Sequence, residues 1–511
     1  MKLHKTILIL FFFSLLINGN TQSSIVDAQL SKIRNEGFQH SEAKNMLLEF
    51  TDVYGQRLTG SREYLAAAKW AAAKMKAIGL DNVHFENFCK DCRGWTMKSF
   101  NVELVSPNYM HLVAYPMAMS KSTAGIVEGE LVSIESFKDM KALKEKFSGK
   151  LKGKIILLGT EPRQRSLTDT ILKRYSDDEL RTQDEQLDPL EKQTPLPELL
   201  DSWKISDHTD AEFLAFAEAE GALAVLRTQS ALLGVLRVQG TYNYRDSDPK
   251  VLPYFSIIPE HFGRLFRMLK EKAVPRIRLD LQTIFYLEPE NNVNIIGEIP
   301  GTDPTLRSEV IMVGGHFDSW HSATGATDNG VSCIVLMEAL RVLKQSGIVP
   351  KRTIRICLWG GEEQAFIGSV AYAIDHFGAL KEKPNSASKK VTAYLNLDNG
   401  AGAIRGVYLQ GNEFARPVFK DIFEPISSIS TGALTIENTL STDHETFDHY
   451  NIPSFQFIQD PLNYETITHH SHLDVPEYAP ENDLKKNAVI LAWTINAMAG
   501  MDSMVPRKLK D

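Results

Sequence analysis

The chain has 511 residues, of which 43% are hydrophobic and 23% are charged, and its formal net charge is -8. This length is too great for one ordinary domain, so we expect two or three. The composition is that of a globular protein and excludes collagen-like and largely disordered chains. The acidic balance gives no support to a nucleic-acid partner, because nucleic-acid binding usually leaves a basic surface.

The N-terminus has the layout of an export signal. Lys2 and Lys5 precede an apolar run at residues 7–17, and the polar stretch NGNTQSS follows. The run is too short to span a bilayer comfortably, so it predicts a secretory signal peptide over residues 1–22, with an uncleaved anchor as the alternative. No later segment is apolar enough to cross a membrane. We therefore expect a secreted or periplasmic protein.

Four cysteines are few for an exported chain of this length, so disulfides are not its main source of stability. Cys89 and Cys92 either close a small disulfide loop or form half of a zinc knuckle. No further ligands stand nearby at a suitable spacing, which favours the disulfide. Cys333 and Cys357 fall in a predicted helix and a predicted strand, where we expect buried free thiols.

The first half of the chain begins with helices and continues with short strands. The stretch REYLAAAKWAAAKMKAIGL predicts a helix that ends at Gly79. Strand-like runs follow, and beyond residue 124 they include GIVEGELVSI, GKIILLGT, ALAVLRT and LPYFSII, with one helix among them. Residues 163–197 are highly charged and predict a surface excursion, either a lid or a solvated helix.

From residue 292 onward, apolar runs that end in polar residues alternate with helical stretches. This alternation predicts an α/β fold, with a mostly parallel mixed sheet covered by helices on both faces. In such sheets ligands bind beyond the carboxyl ends of the strands. Candidate ligands stand at these ends, namely His316, Asp328, the pair Glu362–Glu363, Asp398 and His470.

Histidines and carboxylates in this number suit two divalent cations of the zinc type. Two ions close together need one bridging carboxylate and two further ligands each, and a separate group must take the proton of the attacking water. Glu362 and Glu363 can divide the tasks of base and ligand. Asp318 is placed to hold the second ring nitrogen of His316.

Each residue also has an ordinary structural interpretation. Asp328 could cap a helix, and Asp398 could belong to a plain turn. The glutamate pair could stand in the first turn of a helix, where the helix dipole favours acidic residues. The HHSHLD stretch that contains His470 could be a surface cluster. The metal interpretation is favoured because all five ligand positions fall in one α/β block.

The motif order HxD, DNG, GGEE, LDNG and HHSHLD resembles the co-catalytic di-zinc exopeptidases of clan MH, among them secreted bacterial leucyl aminopeptidases and the carboxypeptidase Q type. The resemblance covers about residues 54–499. It implies a peptidase domain whose N-terminal part spans residues 23–123 and whose metal-binding part spans residues 282–511. Residues 124–281 are similar to an inserted, β-rich protease-associated domain.

The resemblance also implies a role for each residue, with two Zn²⁺ per chain. Asp328 would bridge the ions, His316 and Asp398 would complete one site, and Glu363 and His470 would complete the other. Glu362 would act as general base and then as acid. Family members hold the peptide bond that corresponds to Asp328–Asn329 in cis.

The chain departs from some family members next to the last ligand. His469 stands where they have a tyrosine that donates to the developing oxyanion, a role that a histidine can also fill. Tyr464 and Asp443 are candidates for shaping the pocket, and His472 is expected to be only a neighbour. The long stretch between His316 and Asp328 predicts a rim loop.

These features favour a secreted exopeptidase that hydrolyses the N-terminal bond of peptides or dipeptides with metal-activated water. A carboxypeptidase or dipeptidase on the same site stays open, because the sequence does not reveal the pocket walls. His316 and Asp318 argue against a one-zinc glutaminyl cyclase, and the filled ligand and base positions argue against a catalytically dead receptor-like scaffold. The insert could cover the cleft, restrict access to short peptides, or form a homodimer.

Overall fold

The computed structural model describes residues 26–135, 139–162, 166, 168–230, 232–241 and 243–509. The signal peptide expected over residues 1–22 lies outside the described residues. Within the described part of the chain, no helix combines the length and the apolar character that crossing a bilayer requires.

The described strands form two sheets. In chain order they are β1 (Asp81–Asn87), β2 (Gly94–Ser106), β3 (Met110–His111), β4 (Ala114–Pro116), β5 (Val127–Ile134), β6 (Lys154–Leu158), β7 (Ala224–Arg227), β8 (Tyr254–Ile257), β9 (Arg276–Tyr286), β10 (Val293–Ile299), β11 (Val310–His316), β12 (Thr353–Trp359), β13 (Val391–Asn396), β14 (Ile404–Tyr408), β15 (Ala433–Thr435) and β16 (Ser454–Gln459).

The helices are, in the same order, α1 (26–39), α2 (Ala43–Leu48), α3 (Arg62–Ile78), α4 (Met140–Phe147), α5 (Asp177–Asp184), α6 (Leu196–Ala219), α7 (Pro259–Lys270), α8 (Val331–Gln345), α9 (Ile367–Phe377), α10 (Arg416–Phe423), α11 (His444–His449) and α12 (Glu481–Gly500). The predicted helix stop is confirmed at α3. Gly79 follows this helix with φ 87°, and its N–H donates to the carbonyl of Lys76. At the other end, the Ser61 hydroxyl accepts the N–H of Tyr64.

The first sheet has the order β1-β10-β12-β11-β13-β16-β14-β15. Its centre is parallel, since β11 pairs in parallel with β12 and β13, and β13 pairs in parallel with β16. Strands β1 and β10 are antiparallel additions at one side, and β14 runs antiparallel to β16. The prediction of a mostly parallel mixed sheet is confirmed.

Helices cover both faces of this sheet because its strands are apolar on both sides. Ile311 and Val313 of β11 face a core shared with α2, α3, α8 and α12, whereas Met312 between them packs in the opposite cluster, which includes residues of α9 and α11. Burying a side chain of this kind contributes about 1.5–3 kcal/mol. Because helices cover both faces of the sheet, its accessible residues are those at the ends of the strands.

The second sheet has the order β3-β2-β9-β5-β6-β7-β8-β4, with β5 to β8 parallel and the long pair β2–β9 antiparallel. Its strands span Gly94 to Tyr286, so the sheet begins before residue 124. The domain division at residues 124 and 281 stays a prediction. The disulfide expected between Cys89 and Cys92 is present, and Cys333 and Cys357 are buried and free.

The charged excursion docks against the first sheet over part of its length. Residues 163–165 and 167 lie outside the described residues. Further along, Lys173 forms a backbone bridge to Leu462, and α5 places Leu180 in a small cluster with Ala433 and Ile458. Arg174 makes ion pairs with Asp460 at 2.8 Å and with Asp483 at 2.7 Å. This segment therefore packs against the domain that carries the candidate ligands.

Candidate metal centre

The parallel strands deliver the predicted ligands to one edge of the first sheet. His316 is the last residue of β11 and pairs with Trp359, the last residue of β12, just before the Glu362–Glu363 pair. Asp398 follows the end of β13 by two residues. Because parallel strands end on the same side, residues that are distant in sequence converge here.

The first group of contacts centres on His316. Its Nε2 atom lies 3.1 Å from Oδ1 of Asp328 and 3.4 Å from Oδ1 of Asp398. All three residues offer a ligand atom within 4.8 Å of one another. The structure therefore brings together the residues predicted to hold the first ion.

The second group shares Asp328 with the first. Nε2 of His470 lies 3.0 Å from Oε2 of Glu363 and 3.4 Å from Oδ2 of Asp328. Asp328 thus directs one carboxylate oxygen to His316 and the other to His470. A carboxylate between two ligand groups has the arrangement that a bridging ligand requires.

The electrostatics of the centre favour bound cations. Burial acts to lower the pKa of His316, but the negative charges of Asp398 and Glu362 outweigh it and raise that pKa well above its ordinary value. Burial also raises the pKa of both Glu362 and Glu363 far above the usual range. Oε1 of Glu363 is buried without a hydrogen-bond partner in the described part of the chain. Imidazole nitrogens and carboxylate oxygens so arranged fit zinc ions.

Asp318 contacts His316 differently from the prediction. Nδ1 of His316 lies 3.1 Å from the backbone carbonyl of Asp318, whereas the nearer carboxylate oxygen is 3.6 Å away. The carboxylate instead accepts the backbone N–H groups of Glu362 at 3.2 Å and Glu363 at 3.3 Å, and the Thr59 hydroxyl at 3.0 Å. Asp318 thus holds the backbone of the glutamate pair as well as the ring of His316.

Asp328 lies in the turn Ala326–Gly330, directly before α8, and its own backbone is not helical, with φ -130° and ψ 86°. The Asp328–Asn329 peptide bond is cis, as the resemblance implies. The Asn329 amide donates to the carbonyl of Leu397 at 2.9 Å, which joins this turn to the residue before Asp398. The two ligand-bearing loops are therefore connected directly.

A cavity of about 390 Å³ opens over the centre. Its walls contain the predicted ligands and Glu362, together with Tyr464, Glu465 and His469. The ring centroids of His469 and His470 lie 3.8 Å apart. Together with Asp328, these two histidines offer ligand atoms within 4.8 Å of one another. His469 therefore lines the cavity beside the second group of predicted ligands.

Two further sequence candidates lie away from the cavity wall. Asp443 is buried, which raises its pKa to about 7. His472 contacts Leu236 instead of the ligands, because its Nδ1 accepts the Leu236 N–H at 3.2 Å. Tyr464, by contrast, lines the cavity and packs against Gly400, where a Cβ atom would come within 2.8 Å of the tyrosine ring.

Several residues at the site received no role from the sequence, and three of them make contacts that bear on its geometry. Asp474 accepts the backbone N–H of Thr327 at 2.6 Å and that of Asp328 at 3.2 Å. Arg57 is fully buried, and its guanidinium donates to carbonyls of the rim loop after His316. Trp203 of α6 lines the cavity. Only Asp474 had a signal, because it belongs to the HHSHLD motif.

Comparison with known proteins supports the resemblance. Mouse (Mus musculus) carboxypeptidase Q is 24% identical over 458 residues, which are 89% of this chain and 85% of that protein. The structure of a peptidase M28 precursor from Shewanella amazonensis SB2B covers 95% of this chain and 100% of its own, with 21% identity and a TM-score of 0.67. The structure of BSAP, a zinc aminopeptidase from Bacillus subtilis, matches 89% of this chain and 93% of its own chain, with 20% identity and a TM-score of 0.54.

The family match covers the candidate metal centre. Residues 294–494 match the model of peptidase family M28, and this range includes every predicted ligand. The predicted resemblance and the α/β fold are thereby confirmed. This match, together with the similarity to carboxypeptidase Q and to a zinc aminopeptidase, supports a hydrolase of the peptidase class.

Proposed function

We propose that this chain is a secreted exopeptidase that holds two zinc ions and removes the N-terminal residue of peptides or dipeptides. The observation that carries the proposal is the position of Asp328, whose two carboxylate oxygens lie 3.1 Å from His316 and 3.4 Å from His470. One ion would be held by His316, Asp328 and Asp398, and the other by Asp328, Glu363 and His470.

The division of labour follows from the chemistry of these groups. Bound zinc ions would polarise the scissile carbonyl and lower the pKa of the attacking water. Glu362 would accept a proton from that water at its carboxylate and pass it to the leaving amine. His469 would donate to the developing oxyanion. Asp318 would hold the backbone of Glu362 in place through the bond to its N–H group.

The charge of the cavity wall supports action at the N-terminus. Glu465 lines the cavity in addition to the predicted ligands and the base, and none of the described lining residues is Lys or Arg. A protonated α-amine would find acidic partners there, whereas a free α-carboxylate would lack the cation that usually binds it. This favours an aminopeptidase.

A carboxypeptidase or dipeptidase of the carboxypeptidase Q type is the second candidate. It is supported by the mouse relative, whose similarity extends over 89% of this chain. In that case His469 would be the residue to meet the substrate carboxylate. The export signal predicted at residues 1–22 makes secretion part of both proposals, and N-terminal sequencing of protein recovered from the medium or periplasm tests it.

A substrate panel tests the proposal. Aminoacyl-anilides, free dipeptides and N-blocked peptides are incubated with the enzyme before and after chelation and again with added zinc. We expect chelator-sensitive cleavage of unblocked substrates only, a zinc content of two per chain, and a loss of at least about a hundredfold in kcat for Glu362→Gln.

The matched control is Glu382→Gln, which changes an exposed glutamate outside the cavity and should leave kcat unaltered. Activity on anilides identifies an aminopeptidase, whereas activity on dipeptides alone identifies a dipeptidase. Cleavage of N-blocked peptides would favour the carboxypeptidase. Undiminished turnover by Glu362→Gln would contradict the assigned base.

A further inference from the structure

The segment that carries His469 and His470 is bonded to a strip of the inserted region, residues 236–240, which we call the contact strip. Arg237 and Ser471 form an antiparallel backbone bridge. On its two sides, the N–H of Val238 donates to the carbonyl of His470 at 2.7 Å, and the N–H of His472 donates to the carbonyl of Leu236 at 3.0 Å. The backbone of a predicted ligand is thus bonded to a segment that lies far earlier in the chain.

The other edge of the contact strip is bonded to the second sheet. The N–H of Ala118 donates to the carbonyl of Gln239 at 3.0 Å, and the N–H of Thr241 donates back to Ala118 at 3.1 Å. Met117, one residue earlier, donates to the carbonyl of Tyr254 in β8 at 2.7 Å. These hydrogen bonds, together with the short backbone segments between them, link the second sheet to His470.

Arg237 adds a side-chain contact to the same segment. Its guanidinium donates to the backbone carbonyl of Glu465, which lies in the helical turn Tyr464–Thr468 before His469. Arg237 therefore holds one end of the stretch that presents the two histidines, through its side-chain bond to Glu465. The neighbouring backbone groups of Val238 and Leu236 hold the other end, at His470 and His472.

The conformation of His470 makes such support necessary. Its φ is 54°, in the left-handed region, which an L-residue adopts at a cost of about 1 kcal/mol or more. Conformations of this kind persist when the surrounding structure over-determines them. The bond from Val238 to the carbonyl of His470 is one such restraint.

A ring contact completes the arrangement. Trp320 lies edge-on to the ring of His470, with centroids 6.3 Å apart, and is 5% exposed. The same ring meets Gly240 of the contact strip, where an added Cβ atom would lie 2.8 Å from the tryptophan. The absence of a side chain at residue 240 therefore leaves room for Trp320 beside His470.

We infer that the contact strip is a positioning element for the second metal site, and that Arg237 is its principal positioning residue. The inference rests on the proposed two-zinc function and extends it. The ion held by Glu363 and His470 depends on the docked insert, whereas the ion held by His316 and Asp398 depends on it much less. The inserted region thereby contributes to the second metal site.

The test compares Arg237→Ala, Arg237→Lys and a control, Arg267→Ala, in the full chain. Arg267 is an exposed residue of α7 that pairs with Glu161 at 2.8 Å and makes no contact with the contact strip among the described residues. Zinc per chain is measured by elemental mass spectrometry at a series of buffered free zinc concentrations, and kcat and KM are measured with saturating zinc.

Wild type and Arg267→Ala should bind two ions. Arg237→Ala should keep the first ion and bind the second at least about tenfold more weakly, the usual scale for losing a group that orients a ligand. At saturating zinc its kcat should fall more than its KM rises. Arg237→Lys should recover part of the second-site affinity, because one donor to Glu465 is restored.

A second variant, Gly240→Ala, keeps Arg237 but places a Cβ atom 2.8 Å from the Trp320 ring and 2.9 Å from the Cβ atom of Ala118. The contact strip or Trp320 must then shift, and the variant should show the same selective loss. If circular dichroism shows that Arg237→Ala does not fold, the zinc affinities of Gly240→Ala test the inference in its place. Equal weakening of both ions, or no weakening in the folded variants, would overturn the inference. If wild type itself binds fewer than two ions or hydrolyses no peptide, the proposed function fails instead.

Discussion

The carboxylate of Asp474 accepts the backbone N–H of Asp328 at 3.2 Å, so a second acidic group lies directly behind the predicted bridging ligand. The same carboxylate accepts the N–H of Thr327 at 2.6 Å and the Thr327 hydroxyl at 2.8 Å. Burial, together with the charge of Asp328, raises the pKa of Asp474 to about 7. Asp474 thus fixes the turn that directs the oxygens of Asp328.

Asp474→Asn tests this role. An amide offers one acceptor oxygen instead of two, so it must place its NH2 group against either the Thr327 donors or the N–H of Asp328. We expect a loss of about 1–3 kcal/mol in the free energy of unfolding, from the unsatisfied buried group. Zinc affinity, measured by competition with a chelator, should fall about 10–100-fold.

Asp502→Asn is the matched control, because the side chain of Asp502 is 99% exposed and lies at the far end of α12. It should alter neither zinc affinity nor stability. Wild-type zinc affinity in Asp474→Asn would contradict the role given to Asp474.

The edge of the sheet that carries the ligands could be predicted because the sequence encodes it locally. Each apolar run that ends in a polar residue is a buried parallel strand, and His316 and Asp398 stand just where such runs end. The partners of these loops could not be predicted in the same way. Arg57 donates to the carbonyl of Phe317, 260 residues along the chain, and a carbonyl leaves no signature in a sequence.

The extent of the second sheet could not be predicted from the sequence, for a related reason. Residues 94–106 have the pattern of a strand, but that pattern does not say which sheet the strand joins. Its partner is β9, where Gly94 pairs with Tyr286 and Ser106 with Arg276. Such pairing depends on contacts between residues far apart in sequence. The hydrophobic period and the composition of a segment indicate only its local preference for a strand.

The turn after the glutamate pair contains two consecutive residues in the left-handed region, Ala365 with φ 69° and Phe366 with φ 59°. Glycine adopts this conformation without the steric cost that a Cβ atom brings. Ala365→Gly should therefore leave the free energy of unfolding unchanged or raise it by up to about 1 kcal/mol, since greater freedom of the unfolded chain offsets part of the gain.

Ala488→Gly, in the buried middle of α12, is the contrasting substitution. It should lower the free energy of unfolding by about 1 kcal/mol or more, because glycine is a poor helix former. Urea unfolding of both variants measures the difference. If the two substitutions destabilise the chain equally, Ala365 bears no relievable strain.

Trp203 provides an apolar wall for the cavity. Its ring meets that of Phe366 edge-on, with centroids 5.0 Å apart, and Ala365 and Leu440 also line the cavity. If the proposed aminopeptidase activity holds, Trp203→Ala should lower kcat/KM for leucyl and phenylalanyl anilides about tenfold, the scale expected for lost apolar contact. The alanyl anilide should be affected much less.

Lys204→Ala, at the next and exposed position of α6, should leave this selectivity unchanged. An equal fall for all three anilides in Trp203→Ala would instead indicate that the tryptophan supports the site as a whole. Measurements of kcat/KM with each substrate distinguish the two results.

The rim loop contains a buried histidine that should make stability depend on pH. Nε2 of His321 donates to the carbonyl of Pro116 at 2.8 Å, and its ring meets Trp95 with centroids 5.0 Å apart. Burial lowers the pKa of His321 to about 4, although the bond to Pro116 opposes the shift. The unfolded chain therefore binds this proton more tightly than the folded chain does.

The stabilising effect of a neutral His321 is complete above its ordinary pKa of 6.5 and is lost as the pH falls from there towards about 4. The loss has a slope of about 1.4 kcal/mol per pH unit in that window. His321→Gln keeps an N–H donor for Pro116 but does not titrate. Between pH 7.5 and 5.5, wild type should therefore lose about 1 kcal/mol more stability than the variant.

Urea unfolding in the presence of a chelator measures this difference without a contribution from metal binding. His111→Gln, which replaces an exposed histidine of β3, should retain the wild-type dependence on pH. The buried His444, whose pKa burial also lowers to about 4, is common to all three proteins and cancels in the comparison. Equal losses in wild type and His321→Gln would show that His321 is protonated in the fold or becomes exposed before the chain unfolds.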